Sequence, residues 1–111
     1  MNRLYGLIGF PLGHSFSARY FTEKFQRENL SGYEYRNFPL ESIRELPAML
    51  ENHPGLLGFN VTIPYKQEVI PSLTALSAEA REIGAVNCVK ITPQGLYGHN
   101  TDAYGFRKSL L

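Results

Sequence analysis

The sequence predicts an α/β domain of three layers, with a mostly parallel sheet flanked by helices and one antiparallel hairpin near the C-terminus. Three observations predict it. Leu4-Tyr5-Gly6-Leu7-Ile8-Gly9 and Leu56-Leu57-Gly58-Phe59-Asn60-Val61-Thr62-Ile63 are nearly continuous apolar runs, as expected of strands buried on both faces. Segments with helical spacing separate the early strands, giving the order strand–helix–strand–helix–strand of a parallel sheet. Thr92-Pro93-Gln94-Gly95 lies between two apolar runs and has the length and chemistry of a hairpin loop.

Each element has its own signal. The first strand breaks at Phe10-Pro11-Leu12-Gly13. A helix is expected over 17–30, with Ser17 as N-cap and Gly32 as the stop. Ala18, Phe21 and Phe25 share one face of it, and Glu23/Arg27 and Lys24/Glu28 stand at i,i+4 on the other. Tyr33-Glu34-Tyr35-Arg36-Asn37-Phe38 alternates, so it reads as a half-buried strand near an edge. Ser42-Ile43-Arg44-Glu45 is a capping box. Pro47 fits poorly inside a helix opened there, so the main helix is expected either from Ser42 or, after an irregular turn, from Pro47. Pro64 ends the strand that begins at Leu56, and a short helix over 77–83 stops at Gly84. Strands over 85–91 and 96–99 flank the hairpin loop. Thr101 or Asp102 caps a last helix running to Leu110-Leu111. That helix ends without a C-cap or polar tail, which reads as a fragment.

The 111 residues fit one domain, 1–111, and are 43% hydrophobic and 19% charged, the composition of a globular chain rather than a disordered one. Eleven Lys+Arg against ten Asp+Glu, with no basic stripe, argue against nucleic acid or an anionic membrane as partner. Cys88 is the single cysteine, so neither an intrachain disulfide nor a zinc site of the usual kind is expected. No apolar stretch is long enough to span a bilayer, and a cytoplasmic protein is expected.

Ligands of open α/β sheets bind beyond the carboxyl ends of the strands. There the chain carries Ser15 and Ser17, then Asn60, Thr62 and Lys66, then Asp102. Hydroxyls, amides, one ammonium and one carboxylate suit a small polyhydroxylated acid better than a nucleotide, peptide or metal. Each residue also has a plainer reading. Ser15, Ser17 and Asp102 serve as helix caps, Asn60 and Thr62 can bond neighbouring backbone, and Lys66 can be a solvated lysine. His14, His53 and His99 lack metal-ligand spacing. Gly9-Phe10-Pro11-Leu12-Gly13 matches neither G-x-G-x-x-G nor G-x-x-x-x-G-K-[ST], so no Rossmann dinucleotide domain is expected in this chain.

The motifs taken together resemble those of shikimate dehydrogenases. Gly9-Phe10-Pro11-Leu12-Gly13-His14-Ser15-Phe16-Ser17 is similar to the family's opening signature. Gly58-Phe59-Asn60-Val61-Thr62-Ile63-Pro64-Tyr65-Lys66 resembles G-x-N-V-T-x-P-x-K, and Gly84-Ala85-Val86-Asn87-Cys88 resembles G-A-V-N-T. Gly98-His99-Asn100-Thr101-Asp102-Ala103-Tyr104-Gly105 resembles G-x-N-T-D-x-x-G. Ala18, Tyr20-Phe21 and Cys88 depart from the residues the family usually has there.

The resemblance implies a substrate-binding N-terminal domain whose full enzyme reduces 3-dehydroshikimate to shikimate with NADPH, in aromatic amino-acid biosynthesis. NADP would be bound by a domain absent from this chain, leaving the fragment inactive alone. Lys66 and Asp102 are the implied catalytic pair. Ser15, Ser17, Asn60, Thr62 and Asn87 would join them in binding substrate, and the paired serines favour shikimate over quinate. A stand-alone ligand-binding module is the alternative, and the coding sequence beyond Leu111 would separate the two. Apolar faces left uncovered by truncation are expected to drive self-association.

Overall fold

The computed structural model describes residues 3–12, 16–28 and 32–101. Along the chain run β1 (Arg3–Gly9), α1 (Phe16–Arg27), β2 (Tyr33–Pro39), α2 (Leu46–Asn52), β3 (Leu56–Val61), α3 (Tyr65–Glu68), β4 (Ala75–Leu76), α4 (Ala78–Ile83), β5 (Cys88–Thr92) and β6 (Gly95–His99). Single 3₁₀ turns occupy Ile43–Glu45 and Ile70–Ser72.

The strands form one six-stranded sheet in the order β2-β1-β3-β5-β6-β4. β1 is parallel to both its neighbours, and β4 is parallel to β6. β5 runs antiparallel to β3 and to β6. From β1 the chain crosses to β2 on one side, then returns to β3 on the other, so the winding reverses between β1 and β3.

Helices cover both faces, which gives the expected three layers. α1 lies on the first face, where Phe21 stacks on Tyr35 at 4.7 Å between ring centroids and Phe25 meets Tyr33 at 5.3 Å. Leu7 and Leu12 complete that smaller core. On the second face Ile8, Phe38, Phe59, Val61 and Val89 of the sheet pack with Leu46 and Met49 of α2, Tyr65 and Val69 around α3, and Ala80 of α4. This larger core supplies most of the apolar burial, the dominant favourable term in folding.

Local chemistry accounts for the boundaries. The Ser42–Glu45 capping box is formed, but it opens the 3₁₀ turn, and α2 follows with Pro47 in its first turn. There the missing N–H lacks a helical partner anyway. The Ser77 hydroxyl accepts from the Ala80 amide, and Gly84 ends α4 at φ 76°, a left-handed cap that glycine adopts without strain.

Several expectations need correction. Ser17 lies inside the first turn of α1, not at its cap, because the helix begins at Phe16. β3 stops at Val61, two residues short of Ile63, since Thr62 turns the chain with its carbonyl accepting from the Tyr65 amide at 3.0 Å. Residues 85–87 are not strand, and β5 begins only at Cys88. α3, the 3₁₀ turn at Ile70–Ser72 and β4 had no expected counterpart. Leu30, at the end of the expected first helix, and the last helix beyond Thr101 lie outside the described residues.

Candidate functional site

The rim of the sheet at the carboxyl ends of β1 and β3 is where the winding reverses, the place where α/β sheets bind ligands. Gly9 and Thr62 close that rim. The Thr62 amide donates to Ile8 at 3.0 Å, and the Phe10 amide donates to Ile63 at 3.1 Å. A Cβ on Gly9 would stand 2.5 Å from Thr62 Cγ2 and 2.9 Å from the Ile63 carbonyl. The glycine is thus required by the approach of two chain segments.

Lys66 sits in the first turn of α3, directly beyond the rim. Its neighbour Tyr65 is buried, with its hydroxyl donating to the Leu40 carbonyl, and Val69 one turn on is fully buried. These two anchor the helix in the larger core. Lys66, roughly 100° further round, is turned away from them and is half-buried. Its carbonyl accepts from the Val86 amide at 2.7 Å.

That bond ties Lys66 to the loop carrying Asn87. The Asn87 carbonyl accepts from Val61 at 2.8 Å, and its amide donates to His99 at 3.0 Å, so the residue is clamped between β3 and β6. Its side chain donates to Thr101 Oγ1 at 2.9 Å and accepts from the Thr101 amide at 3.1 Å. Buried Asn100 donates to the Ala85 carbonyl at 3.0 Å. Lys66, Asn87 and Thr101 therefore belong to one hydrogen-bonded unit, with Asp102 next in sequence after Thr101.

Asn60 lies on the α1 face of β3, in register with Leu7 on one side and Cys88 on the other. It lines a groove of about 740 Å³ together with Tyr5, Phe21, Tyr35, Cys88 and His99. Its amide donates to the Tyr35 hydroxyl at 2.9 Å. Burial holds the Tyr35 phenol above its ordinary pKa, against a smaller lowering by the Asn60 bond. Burial likewise raises the Cys88 thiol.

Of the residues singled out from sequence, Asn60, Thr62, Lys66 and Asn87 gather on this rim. Ser17 is described by its backbone, at the start of α1, while Ser15, His14 and Asp102 lie outside the described residues. His53 is structural: its Nδ1 contacts the Met49 carbonyl at 2.9 Å and its ring packs edge-on against Phe38. Two participants escaped sequence reasoning. Tyr35 was legible as an inward residue of an alternating strand, but nothing in the sequence pairs it with Asn60. Val86 acts through its backbone, which no side-chain pattern reports. Among the described residues no His, Cys, Asp and Glu cluster could hold a metal. No helix there is long and apolar enough to cross a membrane.

Known proteins share this arrangement. A shikimate dehydrogenase (NADP(+)) of Clostridium perfringens is 40% identical over 97% of this chain. The crystal structure of a Thermus thermophilus shikimate 5-dehydrogenase in complex with shikimate superposes with a TM-score of 0.83 at 32% identity, covering 99% of this chain and 42% of that one. A 5-ketofructose reductase of Gluconobacter superposes with a TM-score of 0.85 at 30% identity, covering 99% and 40%. The chain spans about 40% of the length of the curated relatives it matches. Residues 7–89 match the family model described as the shikimate dehydrogenase substrate binding domain, and the chain belongs to that family.

Proposed function

We propose that this chain binds shikimate and 3-dehydroshikimate and supplies the proton-transfer groups for NADP-dependent reduction of the ketone to the alcohol, a step of chorismate and aromatic amino-acid biosynthesis. The observation that carries this reading is the hydrogen-bonded unit joining Lys66, Asn87 and Thr101 on the rim beside β3. A lysine and two asparagines standing along one rim suit a small hydroxylated ketone, and a shikimate complex is known for a relative of the same fold.

Reducing a ketone requires an acid to protonate the emerging alkoxide. Lys66 takes that role, since its ammonium stabilises the developing oxyanion before releasing its proton. The carboxylate of Asp102 keeps the ammonium charged and aimed. Asn60 and Asn87 hold ring hydroxyls, with Thr62 beside them. Ser15 and Ser17, near the N-terminus of α1, donate to the substrate carboxylate, where the helix dipole favours an anion. NADPH, held outside this chain, would supply the hydride, so the chain alone is expected to turn nothing over.

Titrating the ¹⁵N-labelled chain with shikimate tests the reading. Shifts concentrated on 60–66, 85–88 and 99–102 are expected, together with no oxidation of NADPH when 3-dehydroshikimate is supplied. Absence of shikimate binding, or turnover by the chain alone, would overturn it. The Gluconobacter relative makes a keto sugar the competing substrate. A keto sugar that displaced shikimate at equal concentration would move the assignment to that class.

A further inference from the structure

The register of the sheet places Asn37, Leu7, Asn60, Cys88 and His99 in one row across β2, β1, β3, β5 and β6. Residues directly opposite one another project from the same face, so this row forms the floor just below the rim. Tyr35 stands in the next row down, opposite Tyr5, and reaches diagonally across β1 to Asn60. Tyr35 itself is rigid. It is 7% exposed, and its ring is stacked on Phe21 with 22° between planes.

That contact decides what Asn60 offers. A side-chain amide presents a donor edge and an acceptor edge, and a free asparagine shows either by rotating. Here the nitrogen is bonded to a fixed phenol oxygen, and among the described residues this is the only side-chain bond of Asn60. Turning the amide over would make its oxygen accept from the phenol O–H instead, so in either sense one edge of the amide is held on Tyr35. The other edge therefore faces away from Tyr35, and in this structure it is the oxygen edge. The phenol stays protonated because burial raises its pKa, so the contact is a neutral hydrogen bond.

We propose that Tyr35 is a positioning residue, which anchors the Asn60 amide so that its remaining edge meets one particular ring hydroxyl of the substrate. The inference rests on the shikimate reading above and adds a source of selectivity to it. Asn87 differs, since one N–H and one lone pair of its amide already go to Thr101 and only the remaining N–H and lone pair are left for a hydroxyl.

Tyr35→Phe keeps the ring, its volume and its stack while deleting the hydroxyl, and it is compared with the parent chain for shikimate and each monodeoxy analogue. Shikimate binding by the parent is measured first, because it tests the underlying reading by itself. In the parent, one analogue should bind about 3- to 10-fold more weakly than shikimate on account of the Asn60 amide, the range for one neutral hydrogen bond. Tyr35→Phe should erase that one preference and leave those against the other analogues intact, and Asn60→Ala should erase the same one. A uniform loss across all ligands, unchanged selectivity, or failure of Tyr35→Phe to fold would assign the hydroxyl to stability alone and overturn the proposal. A parent chain that binds no shikimate removes the reading and this inference together.

Discussion

Gly9 offers the most direct test of how the fold makes the rim. In Gly9→Ala the new methyl meets Thr62 Cγ2 at 2.5 Å and the Ile63 carbonyl oxygen at 2.9 Å. Ordinary carbon contacts begin near 3.5 Å, so the two segments must part by about 1 Å. The backbone resists, because the bonds from Thr62 to Ile8, Phe10 to Ile63 and Leu40 to Gly9 hold it on every side at 3.0–3.1 Å. Overpacking of this kind costs about 1–3 kcal/mol. For a domain of this size that lowers Tm by roughly 5–20 °C, read from a circular dichroism melt. Thr62 and Lys66 ride on the displaced turn, so shikimate binding should weaken by at least about 10-fold, as if one or two hydrogen bonds were lost. Gly55→Ala is the control, because its Cβ would meet nothing within 4 Å and should leave stability within about 0.5 kcal/mol. A Gly9→Ala chain that melts within a degree or two of the parent and binds shikimate equally would refute the reasoning.

The remaining predictions concern chemistry and surface. Where the chain is part of an active NADP-dependent enzyme, Lys66→Ala should lower kcat by at least about 10²-fold with a smaller change in KM. Asp102→Asn should also cost rate, and the double variant should be little worse than the worse single, since groups acting as a unit are non-additive; cleanly multiplying losses in steady-state kinetics would demote the pair to a binding device. Burial raises the Cys88 thiol, so the folded state favours its protonated form. That stabilisation is complete below the ordinary thiol pKa and is lost as pH rises through the raised one. Urea midpoints should accordingly fall on the alkaline side of about pH 9, less steeply in Cys88→Ala, and identical slopes would count against it. The aromatic groove beside exposed Leu57 should make the chain associate as its concentration rises; sedimentation showing a monomer throughout would exclude this.

Much of the fold was legible because the governing signals are local. The alternation over Tyr33–Pro39, the Ser77 cap, the Gly84 stop and the hairpin at Pro93-Gln94 each follow from a few neighbouring residues, and each is present. What was missed depends on partners far along the chain. β4 is two residues long and exists because Thr74 and Ser77 donate to Leu96 and Gly98 at 2.8 Å. α3 forms because Tyr65 and Val69 find a core built by α2 and β3, which no window around Pro64 reveals. The site divides in the same way. Asn60, Thr62 and Lys66 stood out by residue type beside strand ends, and Asn87 only by the resemblance of the segment that carries it. The Tyr35–Asn60 bond spans 25 positions and needs a sheet register before it can be seen.

Strand direction explains why residues so far apart in sequence meet at one rim. β1 and β3 are parallel and bring Gly9 and Thr62 to the same end of the sheet. Had β5 also run parallel to β3, its first residues would lie at the opposite end, about 16 Å away for a strand of five residues. Antiparallel pairing instead sets Cys88 against Asn60, which leaves Asn87 one step beyond the strand and level with Val61, just before the turn at Thr62. β6 then runs back and ends at His99 opposite Cys88, delivering Asn100 and Thr101 to the same place. The hairpin is therefore a functional element of an otherwise parallel sheet. It adds the start of β5 and the end of β6 to the rim, and without the reversal at β5 the Asn87–Thr101 clamp that ties Lys66 to the chain before Asp102 could not close.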